Sequence, residues 1–193
     1  LPNKKELNLI IDIGSSTVST AVVSFENGKP PVVLALKKTD IQFLKHIRID
    51  RLQALMIKAL EISIKEVVTK AGGRPTSTYC FLASPWYASQ VRKVKILKDR
   101  DFIFTQKFFD DLTKKEKESF LEENNKDSVF IEQKAIDVKI NGYHVPNPLR
   151  VKTKEAEVTF IFGVSTHSIT DLIKEKINSI IPETTIIFHT FLL

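Results

Sequence analysis

The stretch Leu9–Ser24, LIIDIGSSTVSTAVVS, decides the reading of this chain. An apolar strand runs into a carboxylate, a glycine and three hydroxyl residues, and then a second apolar strand begins. A plain β-hairpin more often turns through Asn-Gly or Asp-Gly, with positive φ at both central residues. Here the turn is made of small residues with backbone N–H groups and short hydroxyls, and Asp12 stands just before it. Two readings are open. In one, the serine side chains satisfy the backbone of a tight turn. In the other, Gly14 lets the backbone approach a ligand closely, the amides of Gly14, Ser15 and Ser16 point at phosphate oxygens, and Asp12 holds Mg²⁺ through water.

Outward from this stretch the pattern is that of a mixed α/β layer. Residues 8–13 and 18–25 read as paired strands, Asn27-Gly28 as the next turn, and 31–37 as a third strand, so the chain opens on a meander. A helix follows, with Asp50 as its expected cap. Leu52, Leu55, Met56, Ala59, Ile62 and Ile64 through Val67 form its apolar side, and Gly72-Gly73 before Pro75 ends it. Residues 78–83 supply a fourth strand. Three strands, a helix and a further strand make an α/β layer, not an all-β barrel.

After Ser84 the texture changes. SPWY breaks the strand, and the basic stretch VRKVKILKDR (91–100) reads as a strand with one face in solvent rather than a nucleic-acid contact. Thr105 caps a second helix with Phe108, Phe109, Leu112, Phe120 and Leu121 on its apolar side, ended by Asn124-Asn125. A strand over 129–140, kinked near Lys134, turns at Asn141-Gly142. A Pro-containing loop then leads to a strand over 156–164, a third helix capped around Thr166 and Ser168, and a last strand over 184–191. The expected division is 1–83 as the first part of one domain, 84–180 as an inserted α+β subdomain, and 181–193 as a return strand.

Bulk properties narrow the function classes. The chain has 193 residues, 42% hydrophobic and 27% charged, enough for a substantial core and too apolar for disorder. A net charge of +6, from 29 basic and 23 acidic residues, is spread along the chain and does not by itself argue for nucleic acid. Cys80 is the single cysteine, so no internal disulfide forms, and no apolar run approaches the ~20 residues that span a bilayer. His46, His144, His167 and His189 show no ligand spacing, and Ser84 lacks the setting of a hydrolase nucleophile, so no catalytic residue is assigned. Trp86-Tyr87 reads as packing rather than a binding platform. The chain does not begin with Met and ends on IIPETTIIFHTFLL, which predicts a piece of a longer protein.

IDIGSSTVSTAVV resembles the first phosphate loop of the actin-like ATPase superfamily, and most of all the bacterial branch that contains the cell-division protein FtsA and the type IV pilus protein PilM. The order of elements is similar too, and IEQKAIDVKINGYHVPNPLRVKTKEAEVTFIFGVSTHSITDLIKEKI looks like the inserted subdomain of that branch. The resemblance implies a partial actin-like (ribonuclease H-like) domain carrying an α+β insertion of the FtsA type. It implies phosphate contacts from Gly14, Ser15, Ser16 and Thr17 and a metal-water role for Asp12, with ATP and Mg²⁺ bound only by a longer chain. Many relatives carry Lys where this chain has Thr17. Asp12-Ile13-Gly14 is also the single D-x-G present, so half of a nucleotide cleft is expected, and at most slow ATPase activity in the full-length protein. The parent protein would self-assemble through the insertion and link an FtsZ-like partner to the inner face of the cell membrane, from the cytoplasm, through a membrane segment not seen in this chain. The alternatives are a PilM-like platform that captures a peptide of a membrane partner, and an interaction module without nucleotide chemistry. No nucleic-acid partner is expected.

Overall fold

The computed structural model describes residues 6–42, 48–123 and 127–191. The chain divides into two compact units, one built from residues up to Ala88 and from Ser165 onward, the other from Ser89–Val164.

The first unit is organised by the apolar strands of the opening stretch. Strands β1 (Glu6–Ile13), β2 (Thr17–Phe25) and β3 (Val32–Asp40) form the meander. Helix α1 (Ile49–Ala71) leads to β4 (Ser77–Leu82), and helix α3 (His167–Ile180) leads to β9 (Thr185–Thr190). The sheet order is β3-β2-β1-β4-β9. β1 pairs antiparallel with β2 and parallel with β4, and β4 pairs parallel with β9. Alternation assigns the faces. Leu9, Ile11 and Ile13 of β1 are fully buried, in register with Val22, Thr20 and Val18 of β2 and with Thr78, Cys80 and Leu82 of β4. Each such β1 side chain contributes roughly 1.5–3 kcal/mol of burial. Helix α1 packs on β2 and β3. Ser63 meets Thr39 at 2.6 Å and donates to the Val18 carbonyl at 3.4 Å.

Details of α1 differ from the sequence expectation. The helix starts at Ile49, so Asp50 lies inside its first turn rather than at the cap. Its carboxylate takes the Arg48 guanidinium at 2.8 Å, and a negative charge there still favours the helix dipole. The buried side is Met56, Ala59, Leu60, Ser63, Ile64 and Val67, while Ile62 is 44% exposed. The C-terminal stop holds: Gly72 sits at φ 65°, the left-handed conformation that a C-cap glycine supplies.

Helix α3 packs on α1, and Lys176 reaches Glu61 across them at 2.9 Å. The sequence division grouped this helix with the insertion. Its buried stripe, Ile169, Ile173 and Ile177, lies instead with the first unit. Thr166 caps it by accepting the Ile169 amide at 3.4 Å.

The second unit holds β5 (Ala88–Ile103), α2 (Gln106–Glu123), β6 (Ser128–Ile140), β7 (Tyr143–His144) and most of β8 (Lys152–Thr166), with sheet order β5-β8-β6-β7. Its core is aromatic. Phe104, Phe120, Phe160 and Phe162 are buried, with Phe120 edge-on to Phe162 at 5.4 Å between centroids. Phe108, Phe109 and Leu112 of α2 pack against this core. Thr105 caps α2, its hydroxyl accepting the Phe108 amide at 3.1 Å. The helix end expected at Asn124-Asn125 lies outside the described residues. β6 is one continuous strand whose Phe130, Val138 and Ile140 meet the core from even positions, with Ala135 alone among these out of phase. Asn141 (φ 50°) and Gly142 (φ 84°) make the turn between β6 and β7, both in the positive-φ region that Asn-Gly hairpins require.

Candidate functional site

In open α/β sheets ligands bind outside the carboxyl ends of the parallel strands. Here those ends lie side by side: the Ala83 amide donates to the Ile13 carbonyl at 2.9 Å, and the Phe191 amide to the Leu82 carbonyl at 3.2 Å. The loop Gly14–Ser16 leaves the end of β1, so the candidate residues fall at this edge of the sheet.

Three hydrogen bonds fix the loop at its flanks. The Gly14 amide donates to the Thr17 carbonyl at 2.9 Å, closing the turn, and the Ile41 amide donates to the Ser16 carbonyl at 2.7 Å. The Trp86 indole N–H donates to the Gly14 carbonyl at 2.8 Å. The backbone is tight at Gly14, where a Cβ would stand 3.2 Å from the Thr17 oxygen. The Gly14 amide, expected to face phosphate, is thus spent inside the turn. Ser15 and Ser16 are exposed, and neither their amides nor their hydroxyls have a partner among the described residues. The bonds by which serine side chains would satisfy a tight turn are not among those described.

Asp12 is the last residue of β1 on the face opposite the helices. Cross-strand register puts it in one row: Lys38 of β3, Ser19 of β2, Asp12, Phe81 of β4 and His189 of β9. Partial burial pushes the Asp12 carboxyl above its ordinary value, and the Lys38 ammonium draws it partly back. Phe81 and His189 stack with centroids 5.3 Å apart. The Asp12 charge also acts on Cys80. Full burial is the larger cause that drives this thiol strongly upward, which keeps it neutral and unreactive.

Of the sequence candidates, the fold brings together Asp12, Gly14, Ser15, Ser16 and Thr17, with Thr17 already the first residue of β2 and paired to Asp40. It adds Trp86, Lys38, Phe81 and His189. Trp86 is 2% exposed, so it packs rather than presents a platform, and it also ties the loop to its surroundings. Its carbonyl accepts the Ser165 hydroxyl at 2.7 Å. Strand alternation alone would have found Lys38, Phe81 and His189 once the pairing was known. Among the described residues no cluster of three metal-ligating side chains occurs, and no helix is long and apolar enough to cross a membrane.

No protein-family model matches the chain, and no curated protein matches it. Solved structures do. A chain of the PilM-PilN type IV pilus biogenesis complex is 16% identical with a TM-score of 0.55, covering 96% of this chain and 46% of that one. A Bacteroides thetaiotaomicron VPI-5482 protein described as having an actin-like ATPase fold and unknown function is 12% identical with a TM-score of 0.39, covering 95% and 52%. The Aquifex aeolicus PPX-GPPA enzyme is 15% identical with a TM-score of 0.31, covering 40% of this chain and 27% of that one. The last two add no weight. The chain shares its fold over nearly its whole length with the pilus-complex structure, of which it spans less than half the length.

Proposed function

We propose that this chain is the phosphate-loop part of an actin-like, nucleotide-binding assembly platform that captures a short segment of a partner protein. One observation carries the nucleotide half: the Gly14–Ser16 loop is pinned at both flanks while the Ser15 and Ser16 amides stay exposed at the ends of the parallel strands. Those two amides and the Ser15 and Ser16 hydroxyls suit phosphate oxygens, and the Asp12 carboxylate, two residues before Gly14, suits a hydrated Mg²⁺. The residues fit one side of ATP. A bound Mg-ATP would supply charge for these groups to grip, and Thr17 offers a hydroxyl where relatives of the sequence carry a lysine.

The partner half is supported by the PilM-PilN structure, in which a protein of this fold stands in a complex with another protein. An FtsA-like role, with self-assembly through the second unit and an FtsZ-like partner at the membrane, rests on the sequence resemblance of the region 131–177.

The test is titration calorimetry of Mg-ATP with the full-length protein and its Asp12→Ala variant. Weakened binding by a folded variant is expected. Unchanged affinity would remove Asp12 and the loop from any nucleotide site.

A further inference from the structure

The second unit has an edge that its own sheet leaves open. β5 is the outermost strand in the order β5-β8-β6-β7 and runs 16 residues, so one side of its backbone has no strand beside it. Long edges of this kind are templates for pairing with another chain, and lysines along them oppose pairing with a like copy. Beside the edge, between β5 and α2, lies a groove of about 430 Å³ whose apolar wall is Val94, Ile96, Phe108 and Leu112. Val91 and Leu97 of the same strand are 53% and 72% exposed.

The charges of β5 are unequal. Arg92, Lys93, Lys95, Lys98 and Arg100 face only Asp99 and Asp101 along the strand. Arg92 is held by Glu123 and Glu116, Lys95 by Glu155, and the Lys98 ammonium lies 4.6 Å from the Phe102 ring centroid. Lys93 and Arg100 are exposed and have no ion pair among the described residues. An apolar groove, an unpaired backbone edge and three cations without an acidic partner among the described residues, Lys93, Lys98 and Arg100, are together complementary to one kind of occupant.

We infer that β5 takes an extended, acidic peptide segment of a partner protein as an added strand. This rests on the peptide-capture reading above and gives it a site. Main-chain hydrogen bonds to the β5 edge supply affinity, apolar side chains enter the groove beside Val94 and Ile96, one acidic side chain meets Lys93 on the other face, and another meets Arg100 further along the groove's own face. Eight residues at about 3.3 Å each would cover about 26 Å of the strand. A second copy of this chain is a poorer occupant, because the same cations would face each other.

The experiment selects binders to this chain from a displayed library of random 12-residue peptides, then measures them against Lys93→Glu/Arg100→Glu and, as a control on α1, Lys58→Glu. Circular dichroism verifies folding. The expected result is enrichment of peptides alternating apolar and acidic residues. Affinity should fall about tenfold with the double reversal and stay unchanged with the control, and amide-exchange protection should rise over 91–98 when peptide binds. Peptides that bind the double variant equally well, or that protect other residues, overturn the β5 site and leave peptide capture standing. No enriched peptide overturns capture itself, and the site with it. A wild-type dimer that protects 91–98 assigns the edge to a second copy and overturns the inference.

Discussion

Replacing Trp86 by phenylalanine tests whether the loop is anchored or merely neighboured. The indole is 2% exposed, and its N–H reaches the Gly14 carbonyl at 2.8 Å, while the Trp86 amide and carbonyl bond to Ala83 and Ser165 through the backbone and survive the change. Two losses add. The neutral hydrogen bond is worth about 1 kcal/mol net. The smaller ring leaves a void of roughly 40 Å³, which at about 24 cal/mol per Å³ costs about 1 kcal/mol more. The expected loss is about 2 kcal/mol, or about 4–8 °C in melting temperature for a chain of this size. Urea unfolding followed by far-ultraviolet circular dichroism reads it, since the variant lacks the single tryptophan. Benzothienylalanine at the same position keeps the shape, puts sulfur where the N–H stood, and should lose only the hydrogen-bond share. Amide exchange at Gly14 and Ile41, whose N–H groups are bonded at the flanks of the loop, should quicken in both. A loss under about 0.5 kcal/mol with unchanged exchange, the range of an ordinary surface substitution, would refute the anchoring.

Two further predictions concern charge. Burial raises the folded-state pKa of Asp12, so its ionised form costs stability above that pKa and the cost vanishes as pH falls below the ordinary value of 3.8. Asp12→Asn should therefore be more stable than wild type at pH 7, with the gap closing toward pH 4 in denaturant titrations; a destabilised variant at pH 7 would contradict this. Glu61 shows the reverse sign: hydrogen bonds from Lys65 and then Lys176 hold it down to about 2. Its contribution is present above the ordinary 4.5 and is lost as pH falls from there toward 2, so Glu61→Gln should destabilise at pH 7 and approach wild type in acid, with a smaller effect at high salt. A pH-independent difference would show that the Glu61 ion pairs with Lys65 and Lys176 contribute nothing.

Local chemistry was legible in the sequence where one residue type has one use. Asn141-Gly142 turns with both φ values positive, Gly72 caps α1 in the left-handed region, and Thr105 and Thr166 cap their helices. Asp50 misled because a cap is defined by where the first turn begins, and Ile49 had already joined it. The grouping of α3 could not be read from Ile169, Ile173 and Ile177: an apolar stripe says that a helix is covered, not by what. The row through Asp12 was hidden for a related reason. Lys38, Phe81 and His189 lie 26, 69 and 177 positions from Asp12 in sequence, and only strand register brings them level. Trp86 is visible as a lone aromatic after Ser84-Pro85, yet its bond to Gly14 spans 72 residues and belongs to tertiary structure.

The arrangement of the loop bears on which of its two sequence readings is better supported. A turn that only reverses the chain gains by bonding its polar groups internally, and its serines would accept the turn's own amides. This turn does so at the flanks and not at the centre. The Gly14 amide, the Gly14 carbonyl and the Ser16 carbonyl are each bonded within the fold, at 2.9, 2.8 and 2.7 Å, while Ser15 and Ser16 face outward. Such a backbone has already lost its freedom, so a ligand that meets the two central amides pays little further ordering entropy, which is how preorganised sites gain affinity. Asp12 points the same way. A half-buried carboxylate held at a raised pKa is a cost to the fold, and asparagine would fill its place in the row without that cost. On the proposed reading, that charge meets a hydrated cation beside phosphate. The chain spans less than half the length of the pilus-complex structure, and on the proposed reading these residues form one wall of the site.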